Sequence, residues 1–333
     1  MKRNRLTIIL VIVLATVAVV LVVQNRGGTL RSEVGDFAID DTASVTKIYM
    51  ADMQGNEVLL KEESPGNWSL NDSMKARDEG VELLLSTMQK LAVKAPVSKS
   101  TYNTVIKRLA TTSVKVEIYQ MVPRINLFNL VKLFPHEKQT MVYYVGNATP
   151  DNMGSFMLKE GSDTPFVVYI PGFKGYVSAR YTAFVSDWRD HTIFSKMPAK
   201  IRSIQVEFPQ KPEESYLIDK YSDQELTVKQ LSTGKEFDGF DTTRVIDFIN
   251  AYRDIRFEMS FEDITQQHQD SIMSQTPLHI IELTDTDGNT TKVTTYRRGN
   301  IVQQEDLEGN LLPYDVNRLY AWLEDEKELV IVQ

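Results

Sequence analysis

Two amphipathic stripes of the same spacing constrain this chain more than any other feature. Val81, Leu84, Leu85, Met88 and Leu91 fall at i, i+3, i+4, i+7 and i+10, and Val245, Phe248, Ile249, Tyr252 and Ile255 repeat that pattern. Such spacing gathers apolar side chains on one face of a helix. The offset is 245 − 81 = 164 residues, and it extends into the flanking sequence. Val93, Ala95 and Val97 alternate as a strand does, as do Phe257, Met259 and Phe261 at the same offset, and Val114 and Val116 match Leu278 and Ile280. Upstream, Val45, Ile48 and Met50 match Ile201, Ile204 and Val206 at 201 − 45 = 156. Downstream, Gly146-Asn147 matches Gly299-Asn300 at 299 − 146 = 153, so the changes in offset mark loop insertions.

All amphipathic helices share a period, but a helix and two strands agreeing at one offset points to an internal duplication. Gln54-Gly55-Asn56, Pro65-Gly66-Asn67, Asp287-Gly288-Asn289 and Gly309-Asn310 punctuate the alternating runs as turns. The chain therefore reads as α+β, a tandem internal repeat in which each unit is an antiparallel sheet packed with one long helix. Helices are predicted over 76–92 and 241–256, capped by Asp72 or Ser73 and by Asp241 or Thr242. The boundary falls near Ser195-Lys196-Met197-Pro198, giving units 44–195 and 196–333.

Ahead of the repeat stands an apolar run, residues 6–23, interrupted only by Thr7 and Thr16. Its 18 residues would span about 27 Å as a helix, against a hydrocarbon core of about 30 Å. A cleaved signal peptide has a shorter apolar region and a small-residue cleavage site. Here the run ends in Leu21-Val22-Val23-Gln24-Asn25-Arg26, which favours an uncleaved signal anchor. Lys2, Arg3 and Arg5 place residues 1–5 in the cytoplasm by the positive-inside rule. Residues 24–43 read as a tether, with Phe37 and Ile39 already able to pack on the first unit. The expected location is the inner membrane, single-pass, with the C-terminal part periplasmic.

The charge balance bears on partners. With 37 Lys+Arg against 45 Asp+Glu the net charge is -8, which argues against nucleic-acid binding. Without the three basic residues of the cytoplasmic end, the exported part carries 34 − 45 = −11. The chain has no cysteine, which removes disulfides, thiolate catalysis and zinc–cysteine sites and suits an oxidising compartment.

Catalytic constellations are not legible. His136, His191, His268 and His279 form no metal-ligand spacing, and phosphate-cradle and nucleophile-elbow patterns do not occur. Ser44-Val45-Thr46-Lys47 has the spacing of an acylating Ser/Lys pair, but on a predicted strand the two side chains point to opposite faces. His191 has acidic neighbours, Asp187 and Asp190, yet reads as a polar loop or cap residue. Asp285, Asp287 and Asn289 resemble the start of a calcium loop but lack its continuation and read as a hairpin turn. The chain is therefore read as not an enzyme, with no catalytic residues, cofactor or metal. Trp188, Tyr169, Phe173, Tyr176 and Tyr181 could line an aromatic cleft, or serve as core and turn packing.

One segment stands out as a contact surface. The offset falls from 164 to 153 across residues 121–135, an insertion of 164 − 153 = 11 residues in the first unit. An insertion between strands is normally polar. This one is apolar, bounded by Pro123 and Pro135, and carries Arg124 and Lys132. Ile125, Phe128, Leu130 and Val131 fit one face of a short helix with Phe134 alongside, and these five are the candidate partner or membrane contacts. The alternative is that the segment folds back to cover its own unit.

Asp40-Asp41-Thr42-Ala43-Ser44-Val45-Thr46-Lys47-Ile48, Trp68, the long helix, Val105-Ile106-Lys107-Arg108-Leu109-Ala110, Tyr143-Tyr144-Val145-Gly146, Asp151-Asn152-Met153-Gly154 and Tyr169-Ile170-Pro171-Gly172-Phe173 form a recognisable set. With the signal anchor before them, they resemble the bacterial domain of unknown function 4340 over roughly residues 40–320. The resemblance implies an envelope protein of gliding-type Gram-negative bacteria, with some relatives associated with ABC-2 type transporters. It carries over no site residues. The reading that follows is a non-enzymatic accessory or scaffold of an envelope complex, whose partners are the membrane and envelope or ABC transporter subunits. The alternative is an extracytoplasmic module that binds a glycan or lipid.

Overall fold

The computed structural model describes residues 11–17, 36–127, 131–222, 225–261 and 264–333. Of the predicted anchor, residues 11–17 are described and helical; the rest of the run lies outside the described residues. Among the described residues no helix is long and apolar enough to cross a membrane. The chain divides into two compact units after Asp190.

The first unit is built on strands β1 (Val45–Ala51), β2 (Glu57–Ser64), β3 (Asn67–Leu70), β4 (Met74–Lys75), β5 (Ala92–Pro96), β6 (Val114–Leu127), β7 (Val131–Ala148), β8 (Ser155–Lys159) and β9 (Phe166–Tyr169). They form one antiparallel sheet in the order β4-β3-β2-β1-β6-β7-β8-β9-β5. Helix α1 (Asp78–Lys90) lays Val81, Leu84 and Met88 on it, against Trp68 and Leu70, all in one core cluster. Asp78 and Glu79 in the first turn of α1 and Lys90 in its last complement the helix dipole. The predicted cap at Asp72 or Ser73 is not formed: both lie in the turn before β4, and Arg77 occupies the N-cap position with no side-chain cap bond. Part of the expected tether belongs to the unit. Phe37 and Ile39 are buried, the Phe37 ring meets Tyr143 edge-on at 6.0 Å, and the Ile39 amide donates to the Met88 carbonyl at 3.1 Å.

The second unit holds β10 (Thr192–Phe194), β11 (Ile201–Glu207), β12 (Tyr216–Lys220), β13 (Leu226–Gln230), β14 (Ile255–Arg256), β15 (Met259–Ser260), β16 (His279–Asp285), β17 (Thr290–Gly299), β18 (Tyr314–Leu323) and β19 (Glu328–Val332). Its main sheet runs β13-β12-β11-β16-β17-β18-β19-β15 and is antiparallel throughout. Residues 191–195, grouped with the first unit on sequence, fall in the second because β10 pairs with β14.

Both units depart from the one-helix expectation. The first also carries α2 (Tyr102–Thr112), and the second carries α3 (Thr242–Ala251) and α4 (Gln266–Met273). Asp241 caps α3 as predicted, accepting from the Thr243 and Arg244 amides. The helix stops at Ala251, short of the predicted 256, because Ile255 leaves the stripe to pair in β14.

The loop after β17 is braced from within. Arg298 Nη1 meets Asp315 Oδ2 at 2.6 Å, with both side chains largely buried. Gln304 Nε2 donates to Asp315 Oδ1, and Asn300 Nδ2 donates to the Gln304 and Leu312 carbonyls.

Candidate functional site

Within the segment 121–135, residues 121–127 and 131–135 are strand and not helix. They form the far part of the β6–β7 hairpin, paired from Met121↔Glu137 through Leu127↔Val131. Alternation of apolar and polar residues at period two suits a strand as well as the helical spacing read from it. The pairing of β1 with β6 ends at Gln120, and that of β8 with β7 begins at Tyr143, so among the described residues 121–127 and 131–137 pair only with each other. The arm extends about 20 Å at about 3.4 Å per residue.

The arm exposes apolar side chains. Phe134 is 65% exposed and Ile125 43%, and Met121 and Leu133 are similarly open. Among the candidate contacts, the structure therefore places Ile125 and Phe134 exposed on the arm. Val131 contributes backbone pairing, while Phe128 and Leu130 lie outside the described residues. Arg124 on the same arm is exposed as well. Phe134 adopts φ 56°, a left-handed conformation that bulky residues rarely take. Pro123 and Pro135 stand opposite one another and interrupt the row of amide donors, which protects a free ribbon from pairing with other strands.

The base of the arm is fixed by polar contacts. Glu137 accepts from Thr46 Oγ1 and Lys47 Nζ, both at 2.8 Å, and these bonds hold its carboxyl below the usual value. Lys47 Nζ also lies 4.1 Å over the Tyr119 ring. Gln120 Nε2 donates to Ser44 Oγ at 2.8 Å. Ser44 and Lys47 are thus engaged with different partners at the base of the arm.

A second feature was not legible in the sequence. A cavity of about 640 Å3 opens between α3, β12, β13 and residues 237–240, walled by Tyr216, Ile218, Val228, Phe237, Val245 and Phe248. Glu213, Asp238 and Arg244 also line it and are exposed, so they form its rim. Burial raises the Tyr216 and Tyr252 hydroxyls above their usual values, so both stay protonated. Only a tertiary arrangement could place a strand pair, a helix and a loop around one space; no local motif marks it.

The other sequence candidates divide. Tyr169 and Phe173 meet Lys94 and Lys174 around a smaller pocket of about 350 Å3. Trp188 and Tyr181 are core, the latter with its hydroxyl 3.2 Å from that of Tyr143, and Tyr176 is exposed. His191 stacks on Phe257 at 4.4 Å between centroids, and His279 Nδ1 lies 3.0 Å from Thr295 Oγ1. Asp285 accepts from the Asp287 and Asn289 amides and from Lys196 at 2.7 Å, which places it as the anchor of a hairpin turn. Among the described residues no group of three or more His, Asp or Glu could hold a metal ion.

A family model described as Domain of unknown function (DUF4340) matches residues 68–270, more than half of the chain. That span covers α1, the arm and α3. No curated protein and no solved structure matches the chain.

Proposed function

Since the chain belongs to the family Domain of unknown function (DUF4340), we propose that it is a single-pass, membrane-anchored extracytoplasmic protein, a non-enzymatic accessory or scaffold of an envelope complex. A transporter of the ABC-2 type is the partner class this reading favours. The arm carries the proposal: a two-stranded ribbon outside the sheet, braced at its base, presents Met121, Ile125, Leu133 and Phe134 to its surroundings. A purely structural hairpin has no use for such exposure, and exposed apolar patches mark contacts with partners or membranes. The apolar run 6–23 behind Lys2, Arg3 and Arg5 supports the anchor and its orientation.

The duplication is part of the same proposal. In both sheets the strands β1–β3 and β11–β13, joined by consecutive hairpins, precede the first long helix, and a strand that follows that helix closes the opposite edge, β5 beside β9 and β15 beside β19. The units differ by the extra strand β4 and by the arm.

The test combines two measurements on the full chain. Alkaline phosphatase fused after Gln333 is expected to be active; a stable but inactive fusion refutes the orientation. Ile125→Asp with Phe134→Asp is expected to leave the melting temperature unchanged and abolish binding to partner or liposome. Destabilisation by about 2 kcal/mol or more would show the arm to be core instead.

The cavity in the second unit favours a second reading, a module that binds an extracytoplasmic glycan or lipid.

A further inference from the structure

Helices α1 and α3 share the same stripe, yet they close on their sheets differently. Along α1, Val81, Leu84 and Met88 are all essentially inaccessible to water. Along α3, Ile249 is the buried residue, while Val245 and Phe248 are half-buried and face the cavity. Leaving such side chains in water forfeits the burial that drives folding, so a helix free to settle would close the gap.

The walls are instead held open. The Gln230 amide donates to the Lys235 carbonyl, and the Phe237 amide to the Val228 carbonyl, both at 2.9 Å, which straps residues 235–237 to β13. Gly239, at φ +73°, then turns the chain to the Asp241 cap. The space is preformed, and its volume lies in the range of small-molecule sites.

The lining selects the ligand. A glycan needs several polar groups converging on its hydroxyls, whereas these walls are aromatic and aliphatic, Tyr216 alone among the six wall residues having a polar side-chain atom. The rim selects the head. Lys211 Nζ engages Glu214 at 2.8 Å, and Arg244 lies 3.4 Å from Asp241. Glu213 and Asp238 carry no ion pair among the described residues, which leaves the rim negative. We propose that this cavity binds the hydrocarbon tail of an amphiphile whose head is not anionic. The proposal rests on the ligand-binding reading and narrows it.

The test uses the full chain in lipid nanodiscs with photoreactive dodecyl probes bearing trimethylammonium, maltoside or carboxylate heads. Crosslinks are mapped by mass spectrometry. Labelling is expected at 216–218, 237 and 245–248, with trimethylammonium exceeding carboxylate by about fivefold or more. Glu213→Gln with Asp238→Asn should erase that preference. Val245→Trp should fill the space and remove this labelling while the melting temperature holds or rises. Labelling that Val245→Trp leaves intact, or carboxylate labelling as strong as trimethylammonium, overturns the proposal. Probe that labels only when already in the bilayer assigns the tail to a membrane lipid; probe that labels from solution assigns it to a soluble amphiphile. A photoreactive oligosaccharide that labels the cavity when no dodecyl probe does refutes the tail and preserves the ligand-binding reading. Labelling by neither refutes both.

Discussion

Leu84→Ala and Val245→Ala together test how differently the two long helices are packed. Leu84 is 1% exposed and sits in the continuous core of the first unit. Truncation removes three carbons, about 2.4 kcal/mol at about 0.8 each. The void left behind adds to this, for a total of about 3–4 kcal/mol. Val245 is half-buried beside an existing cavity, so losing two methyl groups creates no new sealed void. Its cost is about 1 kcal/mol or less. The assay is amide hydrogen exchange of the full chain, read by mass spectrometry in peptides from each helix, which reports the opening of each region separately. A cost at Leu84 below about 1 kcal/mol, or a cost at Val245 equal to it, would refute the packing argument.

Three further perturbations probe the polar scaffolding. Glu137 has its carboxyl lowered below 4.5, first by Lys47 and then by Thr46. The stabilisation is therefore complete above that value and lost as pH falls through the lower folded value; amide exchange at 119–120 should accelerate in that acid window, and Glu137→Gln should flatten the dependence. Arg298→Met leaves Asp315 buried without its ion-pair partner and is expected to cost about 3 kcal/mol or more by denaturant titration of the second unit; an unchanged midpoint would contradict the bracing of the loop after β17. Lys196→Met removes the strongest influence lowering Asp285, so the second unit should lose its resistance to acid and unfold at a higher pH than the parent chain. An unchanged acid transition would show that the Asn289 and backbone bonds suffice.

What was legible in the sequence depended on how local its cause is. The α1 stripe, the Asp241 cap and the Asp285 turn each follow from neighbouring residues, and each was readable. The arm shows where locality misleads. Ile125, Phe128, Leu130 and Val131 suit a helical face, while Ile125 with Leu127 and Val131 with Leu133 alternate as a strand does, and long-range pairing between the two halves of the hairpin decides for strand. The second helices were missed for a different reason. In α2 only Val105 and Leu109 are buried, too few to announce a stripe, and α4 buries Ile272 alone. The cavity needs strands, helix and loop to converge, which no window of sequence contains.

The separation of the arm from the rest of its sheet has an evolutionary consequence. Insertions elsewhere in β6 or β7 would drag neighbouring strands out of alignment, but beyond Gln120 no neighbour is attached. Adding one residue to each strand lengthens the reach by about 3.4 Å and exchanges which side chains face either surface; adding two to each restores the original facing. Relatives can therefore tune how far this ribbon extends, in quantised steps, while the core beneath it remains untouched.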